Sequence, residues 1–470
     1  MEFALAKVER LTRHARCLFL SPWKGKTQAT LAALYSALPT EVAWRGRDFF
    51  FFSTGASSMN ATLGKPSPRQ KENSMRGLVF SPLLILAASL AATSIDRKVV
   101  SPHGSDVGLP FSPGILAGDF LDLSGHIGNV PGTLEVSGNV RAQTQRALEN
   151  LGAVLKAADM DFSHVVSSNV YLADSRDFQT MNEVYRSYFA KAPPTRATVQ
   201  ADIAIPNARV EIAMVAVRPG VDRRVITPEG WTSPKLPYSW GVLAGDTIFI
   251  SGVTSRNPQT YQPVPGDIAL QTRQVLTNVG AILKAAELDY RDVTSCRVFL
   301  DDGRHFQAMN EVYRSFFPES PPARATVRAT LMNPAFLVEI QCIAGKGSER
   351  RVVADPAAPS GRPFSPAIQV GTRLYLSGAV GRGPQGFAPG DLKEQTRQTM
   401  ENLRSTLAAA GMGFGNVTGS MVFLSDIRHF AAMNEVYGEF FPGAPPARAT
   451  VGTQLMSPDA LVEIVMTATE

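Results

Sequence analysis

Short words recur along this chain at matched intervals. Met-Asn-Glu-Val-Tyr stands at 181–185, 309–313 and 433–437, and Val-Glu-Ile at 210–212, 338–340 and 462–464. Ala-Thr-Val, each time directly after an arginine, stands at 197–199, 325–327 and 449–451, and Gln-Thr at 143–144, 271–272 and 395–396. Every series steps by 128 residues and then by 124. Solenoid units run about 20–50 residues, so a period this long repeats a complete small domain. The copies span 105–218, 232–346 and 360–470, joined by stretches rich in Pro, Gly and charge such as Arg218-Pro219-Gly220 and Asp355-Pro356. Such composition marks a domain boundary.

The rest of the composition fits three cores. A chain of 470 residues with 44% hydrophobic and 19% charged side chains is neither collagen-like, nor disordered, nor a polytopic membrane protein. Three cysteines (Cys17, Cys296, Cys342) are too few for a disulfide framework, and none stands at metal-ligand spacing. Cys296 and Cys342 read as buried thiols, with a disulfide between them left open. The net charge of +5 sits in the wrong place for a nucleic-acid protein: residues 1–74 carry 11 basic and 5 acidic side chains, the remainder 35 and 36. A polyanion footprint needs its basic residues on the folded surface, so no nucleic-acid partner is expected.

The middle copy shows the element order. Gly241–Asp246 and Thr247–Gly252 read as a hairpin, and Ile268, Val275, Val279, Ile282 and Leu283 as one stripe of an amphipathic helix. A β-rich run at Cys296–Leu300 follows, then a second helix marked by Phe306, Met309, Tyr313 and Phe316, then strands around Ala325–Val327 and Leu337–Ile340. The order β-β-α-β-α-β-β predicts an α+β domain with its helices on one face of a sheet. Three such sheets can bury their open faces against one another around a pseudo-threefold axis, and covalent linkage favours that assembly. The expectation is a monomer packed as an intramolecular pseudo-trimer.

Alternation along the Val-Glu-Ile strand puts Glu211 with Ala213 and Val215, opposite Val210 and Ile212. A carboxylate among such neighbours needs a partner, and an arginine on the preceding strand is one. That pair reads either as a structural salt bridge or as a site. The asparagine of the Met-Asn-Glu-Val-Tyr helix (Asn182, Asn310, Asn434) reads as structural, with capping or bracing the site as the alternative, and the Asp-X-Arg segments read as turns and helix starts. The six histidines never recur in all three copies, so they read as ordinary surface or packing residues, and the Ser-Gly serines lack a repeated histidine base.

Pro-Pro-Ala-Arg-Ala-Thr-Val at 321–327 and 445–451, with Pro-Pro-Thr-Arg-Ala-Thr-Val at 193–199, resembles the signature of the RidA (YjgF/YER057c/UK114) family of enamine/imine deaminases. The resemblance covers each copy and implies a chorismate-mutase-like fold, trimeric packing and ligand sites at the interfaces. It implies that Arg196, Arg324 and Arg448 clamp a substrate carboxylate and that Glu211, Glu339 and Glu463 orient the attacking water. It further implies site roles for Phe111, Tyr238 and Phe364, for the Ser-Gly steps Ser124-Gly125, Ser251-Gly252 and Ser377-Gly378, and for Thr198, Thr326 and Thr450. The family often has tyrosine at the first aromatic position, which only the middle copy keeps, and cysteine where these threonines stand. After Ser-Gly, where glutamine is frequent, this chain has His126, Val253 and Ala379.

The implied reaction is hydrolysis of 2-enamine/2-imine acids to 2-oxo acids and ammonia. An arginine fork fits a carboxylate beside a C=N carbon, and a carboxylate can activate water, with no cofactor required. The expected partner is thus a small carboxylate-bearing imine or enamine. A non-catalytic small-carboxylate binding module is the alternative reading, and an RNase or translation inhibitor a weaker one.

Residues 75–92 begin with Met75-Arg76 and continue with a mostly apolar run from Leu78 to Leu90, ending in Ala91-Ala92. That pattern resembles a secretory signal peptide and is too short to favour a stable membrane span. It predicts translation from Met75 or Met59 and an exported, periplasmic protein, with a cytoplasmic location as the alternative. N-terminal sequencing of exported material should then start beyond residue 75; a terminus at Glu2 or Phe3 refutes it.

Overall fold

A computed structural model describes residues 97–347, 350–354, 361–383, 385–388 and 390–470. The segment read as a signal peptide, the residues before it and most of the second linker lie outside these. No helix among the described residues is long and apolar enough to cross a membrane.

Each copy has the predicted order. In the first, strands Gly114–Ala117 and Phe120–Ile127 form a hairpin, followed by helix Val140–Ala157, strand Val165–Leu172, helix Phe178–Tyr188 and strands Thr195–Gln200 and Val210–Val217. The Val210–Val217 strand lies between Phe120–Ile127 and Val165–Leu172, antiparallel to both, and Val165–Leu172 pairs parallel with Thr195–Gln200. In the middle copy the first helix spans Ile268–Ala285, and all five residues of its predicted stripe are buried. Asn139, Asp267 and Asp391 cap the three long helices through their side chains, meeting N–H groups that have no partner within the helix.

The segments read as linkers do more than connect. Arg223–Ile226 and Arg351–Val353 are edge strands, paired antiparallel with Gly241–Ala244 and Ala367–Val370, as Lys98–Val100 is with Gly114–Ala117. The arginine that leads each of them reaches into the neighbouring copy. Arg223 donates to the carbonyls of Val165 and Ala192, Arg350 to those of Val293 and Ser320, and Arg97 to those of Val417 and Ala444. A Pro/Gly-rich stretch hides such a strand because its pairing partner follows it in the chain rather than being signalled within it.

Two kinds of core result. The helix side of each sheet buries its own residues, Val210, Ile212, Met214 and Ala216 in the first copy, together with Leu148, Leu151 and Tyr185. The opposite sides meet in one cluster drawn from all three copies, including Tyr171 and Val199, Phe299 and Val327, and Phe423 and Val451. Sheet edges are also exchanged: Leu331 of the second copy pairs with Val199 of the first, and Ile203 of the first with Val451 of the third. An edge strand continued by a neighbour no longer presents open N–H and C=O groups.

Cys296 and Cys342 face each other across adjacent strands and are joined as a disulfide, which resolves the alternative left open above. Asp174, Asp302 and Asp426 accept the N–H of Arg176, Arg304 and Arg428 and open the turns before the second helices, as read from the sequence.

Phe423 is 1% exposed within the shared cluster. Replacing it with alanine is expected to destabilise the chain by about 3–5 kcal/mol in urea unfolding, because the cavity opens where three sheets meet and cannot collapse from one side.

Candidate active site

At three seams between copies an arginine of one copy faces a glutamate of the next. Arg196 of the first copy lines a cleft with Tyr238, Gly252 and Glu339 of the second, and Arg448 of the third lines another with Phe111, Gly125 and Glu211 of the first. Arg324 of the second copy lies 5.3 Å from the Phe364 ring of the third and interacts electrostatically with Glu463. The arginine and glutamate of one site therefore come from different copies. Within a copy they belong to different sites, which corrects the pairing expected along one sheet.

The local fold explains the motif. In Pro-Pro-X-Arg, both proline carbonyls accept from one serine of the next copy. Ser239 Oγ donates to Pro193 O at 2.6 Å and its N–H to Pro194 O at 3.0 Å. Ser365 and Ser112 repeat the pattern on Pro321-Pro322 and Pro445-Pro446. The Ser-Gly serine closes the seam. Ser251 Oγ donates to Ser239 O at 2.6 Å and accepts the Arg196 N–H at 2.8 Å. Ser377 does the same for Arg324, and Ser124 for Arg448. These hydroxyls hold the backbone of the arginine, and it is the adjacent glycine that faces the cleft. A Cβ on Gly125, Gly252 or Gly378 would fall within 2.0 Å of Oε1 of Glu211, Glu339 or Glu463. The glycine is there so that the carboxylate can lie on the backbone.

Each guanidinium is 3–4% exposed and held on three sides. Its Nη2 donates to the asparagine of the second helix: Asn182, Asn310 and Asn434 accept at 2.7, 2.7 and 2.6 Å. The helix tyrosine lies over it, with Cζ 4.8, 4.6 and 4.7 Å from the rings of Tyr185, Tyr313 and Tyr437. Of the two readings the sequence left for the asparagine, structural or bracing, the geometry matches the brace. Nη1 of Arg196, Arg324 and Arg448 is buried without a hydrogen-bond partner, as is Oγ1 of Thr198, Thr326 and Thr450. Buried polar groups are rarely left unpaired, and the same orphans at three sites mark a place for a ligand.

Burial sets the electrostatics. It pushes the Glu211 carboxyl up to about 7 and those of Glu339 and Glu463 up to about 8, although a backbone N–H and the facing arginine oppose the shift. The Thr450 N–H donates to Glu211 Oε1 at 3.3 Å. Burial also lowers all three arginines, Arg448 to about 10. The site therefore holds a carboxyl able to exchange a proton near neutrality beside a cation with one free edge.

The clefts are not copies of one another. His126, read as an ordinary residue, lines the Arg448 cleft with Nδ1 bonded to Ser124 O at 2.9 Å. Its place after the Ser-Gly step, where the family often has glutamine, is what set it apart from the other histidines in the sequence. Ser112, Ser239 and Ser365 had no assignment from sequence, yet each follows a repeated aromatic residue, and that recurrence was the available signal.

The sequence profile of the Endoribonuclease L-PSP family matches residues 106–218, 232–346 and 355–470. The chain belongs to this family. A RutC family protein of Pyrococcus horikoshii is 44% identical over 124 residues, which is 26% of this chain and 98% of that protein. A 2-iminobutanoate/2-iminopropanoate deaminase of Capra hircus is 40% identical over 125 residues, 27% of this chain and 91% of the relative. Among solved structures, the YjgF gene product of E. coli is 35% identical, covering 26% of this chain and 99% of that one, with a TM-score of 0.25. The resemblance read from the Pro-Pro-X-Arg-Ala-Thr-Val words is thus to the right family, repeated three times in tandem.

The raised carboxyls have a consequence for stability. An unfolded glutamate ionises near its ordinary value, whereas the folded one keeps its proton until pH 7–8, so the stabilising contribution is full below about pH 4.5 and is lost as pH rises to 8. The melting temperature should fall between pH 5 and 8, and the Glu211→Gln, Glu339→Gln, Glu463→Gln triple variant should fall less steeply over that window. Parallel curves would contradict the assignment.

Proposed function

We propose that the chain hydrolyses 2-imino acids, and the enamines in equilibrium with them, to 2-oxo acids and ammonia. The observation that carries this reading is the unpaired Nη1 of Arg196, Arg324 and Arg448, buried in a seam with a carboxyl whose proton affinity lies near neutrality. The names of relatives such as the Capra hircus deaminase point the same way.

The guanidinium receives the substrate carboxylate, and the threonine hydroxyl beside it is a further donor. Fixing the carboxylate fixes the adjacent imine carbon, which is already electrophilic, so positioning supplies much of the acceleration. The glutamate takes a proton from water as the water oxygen bonds to that carbon and the C=N electron pair moves to nitrogen. That proton passes to the nitrogen and leaves a carbinolamine; the glutamate then carries the hydroxyl proton to the same nitrogen, the C–N bond breaks as the C=O bond forms, and ammonia leaves with the 2-oxo acid. The aromatic residue of the next copy covers the site. We further propose that one chain acts as its own trimer, because the three arginine–glutamate seams join copies one to two, two to three and three to one. A ribonuclease reading, carried by the family's description, is opposed by the balance of 35 basic and 36 acidic residues beyond position 74.

The test is hydrolysis of 2-iminobutanoate generated in situ by an amino-acid oxidase. The Arg196→Ala, Arg324→Ala, Arg448→Ala triple variant should fall to the buffer rate. Each single Glu→Gln change should silence its own cleft by about 100-fold or more. The rate should rise with pH through 7–8 as the glutamates lose their protons. Wild-type rates equal to buffer, with 2-oxobutanoate still bound, would make the chain a carboxylate-binding module instead.

A further inference from the structure

The outer walls of the clefts differ in charge. In the Arg196 cleft the wall carries a second guanidinium, Arg256, stacked between Tyr261 and Phe336 with Cζ 4.2 and 4.8 Å from their centroids. Its Nη1 donates to the Tyr261 carbonyl, and no carboxylate lies within ion-pair distance of it among the described residues. Arg256 and Arg196 both act electrostatically on Glu339 and on the Tyr238 hydroxyl, so the two cations border one space. Glu339 is the only acidic residue lining that space among the described residues.

The corresponding wall of the Arg448 cleft is neutral. Asn150 donates to the carbonyl of Asn129 as Asn278 does to that of Arg256, which places Asn129 at the same point of the fold. Leu134 lines the wall there, with Leu109 and Ile205. In the third copy Asn402 donates to the carbonyl of Arg382, so an arginine stands at that point of the fold as well, its Cζ 5.7 Å from the Phe387 centroid. A second feature shows that the cationic wall is built. Tyr261 has a backbone φ of +64°, which a bulky L-residue rarely adopts. It is 8% exposed, and its hydroxyl lies 2.6 Å from that of Tyr238. Strain of this kind persists only where its surroundings enforce it, and it collects at ligand sites. Here it brings an aromatic face under a guanidinium, where stacking holds the fork rigid without neutralising it.

We infer that the Arg196 cleft takes 2-imino acids bearing a second carboxylate on the side chain, received by Arg256, whereas the Arg448 cleft takes aliphatic ones. The inference rests on the function proposed above for the substrate's reacting end. Arg196 holds the carboxylate next to the imine carbon, and Arg256 the distal one. A single chain thereby carries sites of different selectivity, which three identical subunits could not provide.

The experiment is calorimetric titration of the full chain with two stable 2-oxo acids, 2-oxoglutarate and 2-oxobutanoate. Wild type should bind 2-oxoglutarate tightly at no more than two sites per chain, the Arg196 cleft among them, and not at the Arg448 cleft. Arg256→Met, which keeps a stem between the two rings, should weaken the Arg196-cleft site about tenfold or more while the 2-oxobutanoate affinity stays within twofold. Arg256→Lys should recover part of the loss. An unchanged 2-oxoglutarate affinity, an equal loss for both acids, or three equivalent 2-oxoglutarate sites would overturn the inference. Binding is read without turnover, so the two proposals fail separately. Arg256-dependent binding without hydrolysis refutes the deaminase; hydrolysis of 2-iminobutanoate with Arg256-independent binding refutes the selectivity.

Discussion

A guanidinium in a protein interior keeps its charge only when its donors are met, and those of Arg196, Arg324 and Arg448 are met on one side. Asparagine takes Nη2, a tyrosine face lies over the plane, and a serine of the next copy fixes the backbone N–H. Nη1 is left for whatever enters the cleft. Every other feature of the seam serves this arrangement. The prolines present carbonyls at the correct spacing for one serine, and the glycine after the Ser-Gly serine removes the Cβ that would displace the carboxylate. The cation and carboxylate meet only when two copies are docked, so no complete site is assembled in an isolated copy.

Linking the copies in one chain frees the sites from identity. In an assembly of identical subunits every substitution appears at all interfaces together. Here His126 enters one cleft and Arg256 another, while the clamp residues are kept in all three. Seam residues are bonded across copies through backbone groups, whereas Arg256 is held within its own copy by the Tyr261 carbonyl and ring. A buried ion pair between copies, Asp122 with Arg373, joins the first copy to the third, where Thr418 also donates to Asp122.

Much of this was legible in the residues. The repeated words fixed the number and order of domains, because burial of a helix stripe or a strand face depends on local periodicity. Val275, Val279 and Ile282 needed no tertiary information to be recognised as core. The arginine and glutamate were recognisable as a pair of interest for similar reasons: a charged residue amid apolar alternation demands a partner. Their identity as partners was another matter. Glu339 lies fifteen residues after Arg324 in sequence yet belongs with Arg196. The edge strands hidden in linkers and the seam serines Ser112, Ser239 and Ser365 escaped for a related reason, since each acts through a group that sequence order does not place beside it.

What the sequence alone determined was the repeating α+β unit, its apolar faces and the residue types able to grip a carboxylate, all of which follow from periodicity and side-chain chemistry over a few turns or strands. What only the tertiary structure decided was which arginine faces which glutamate, the loss of water that lifts those carboxyls toward neutrality, and the unequal walls of the clefts. Those depend on contacts between segments more than a hundred residues apart in some cases, and on burial, a property no residue has until the surfaces around it have closed.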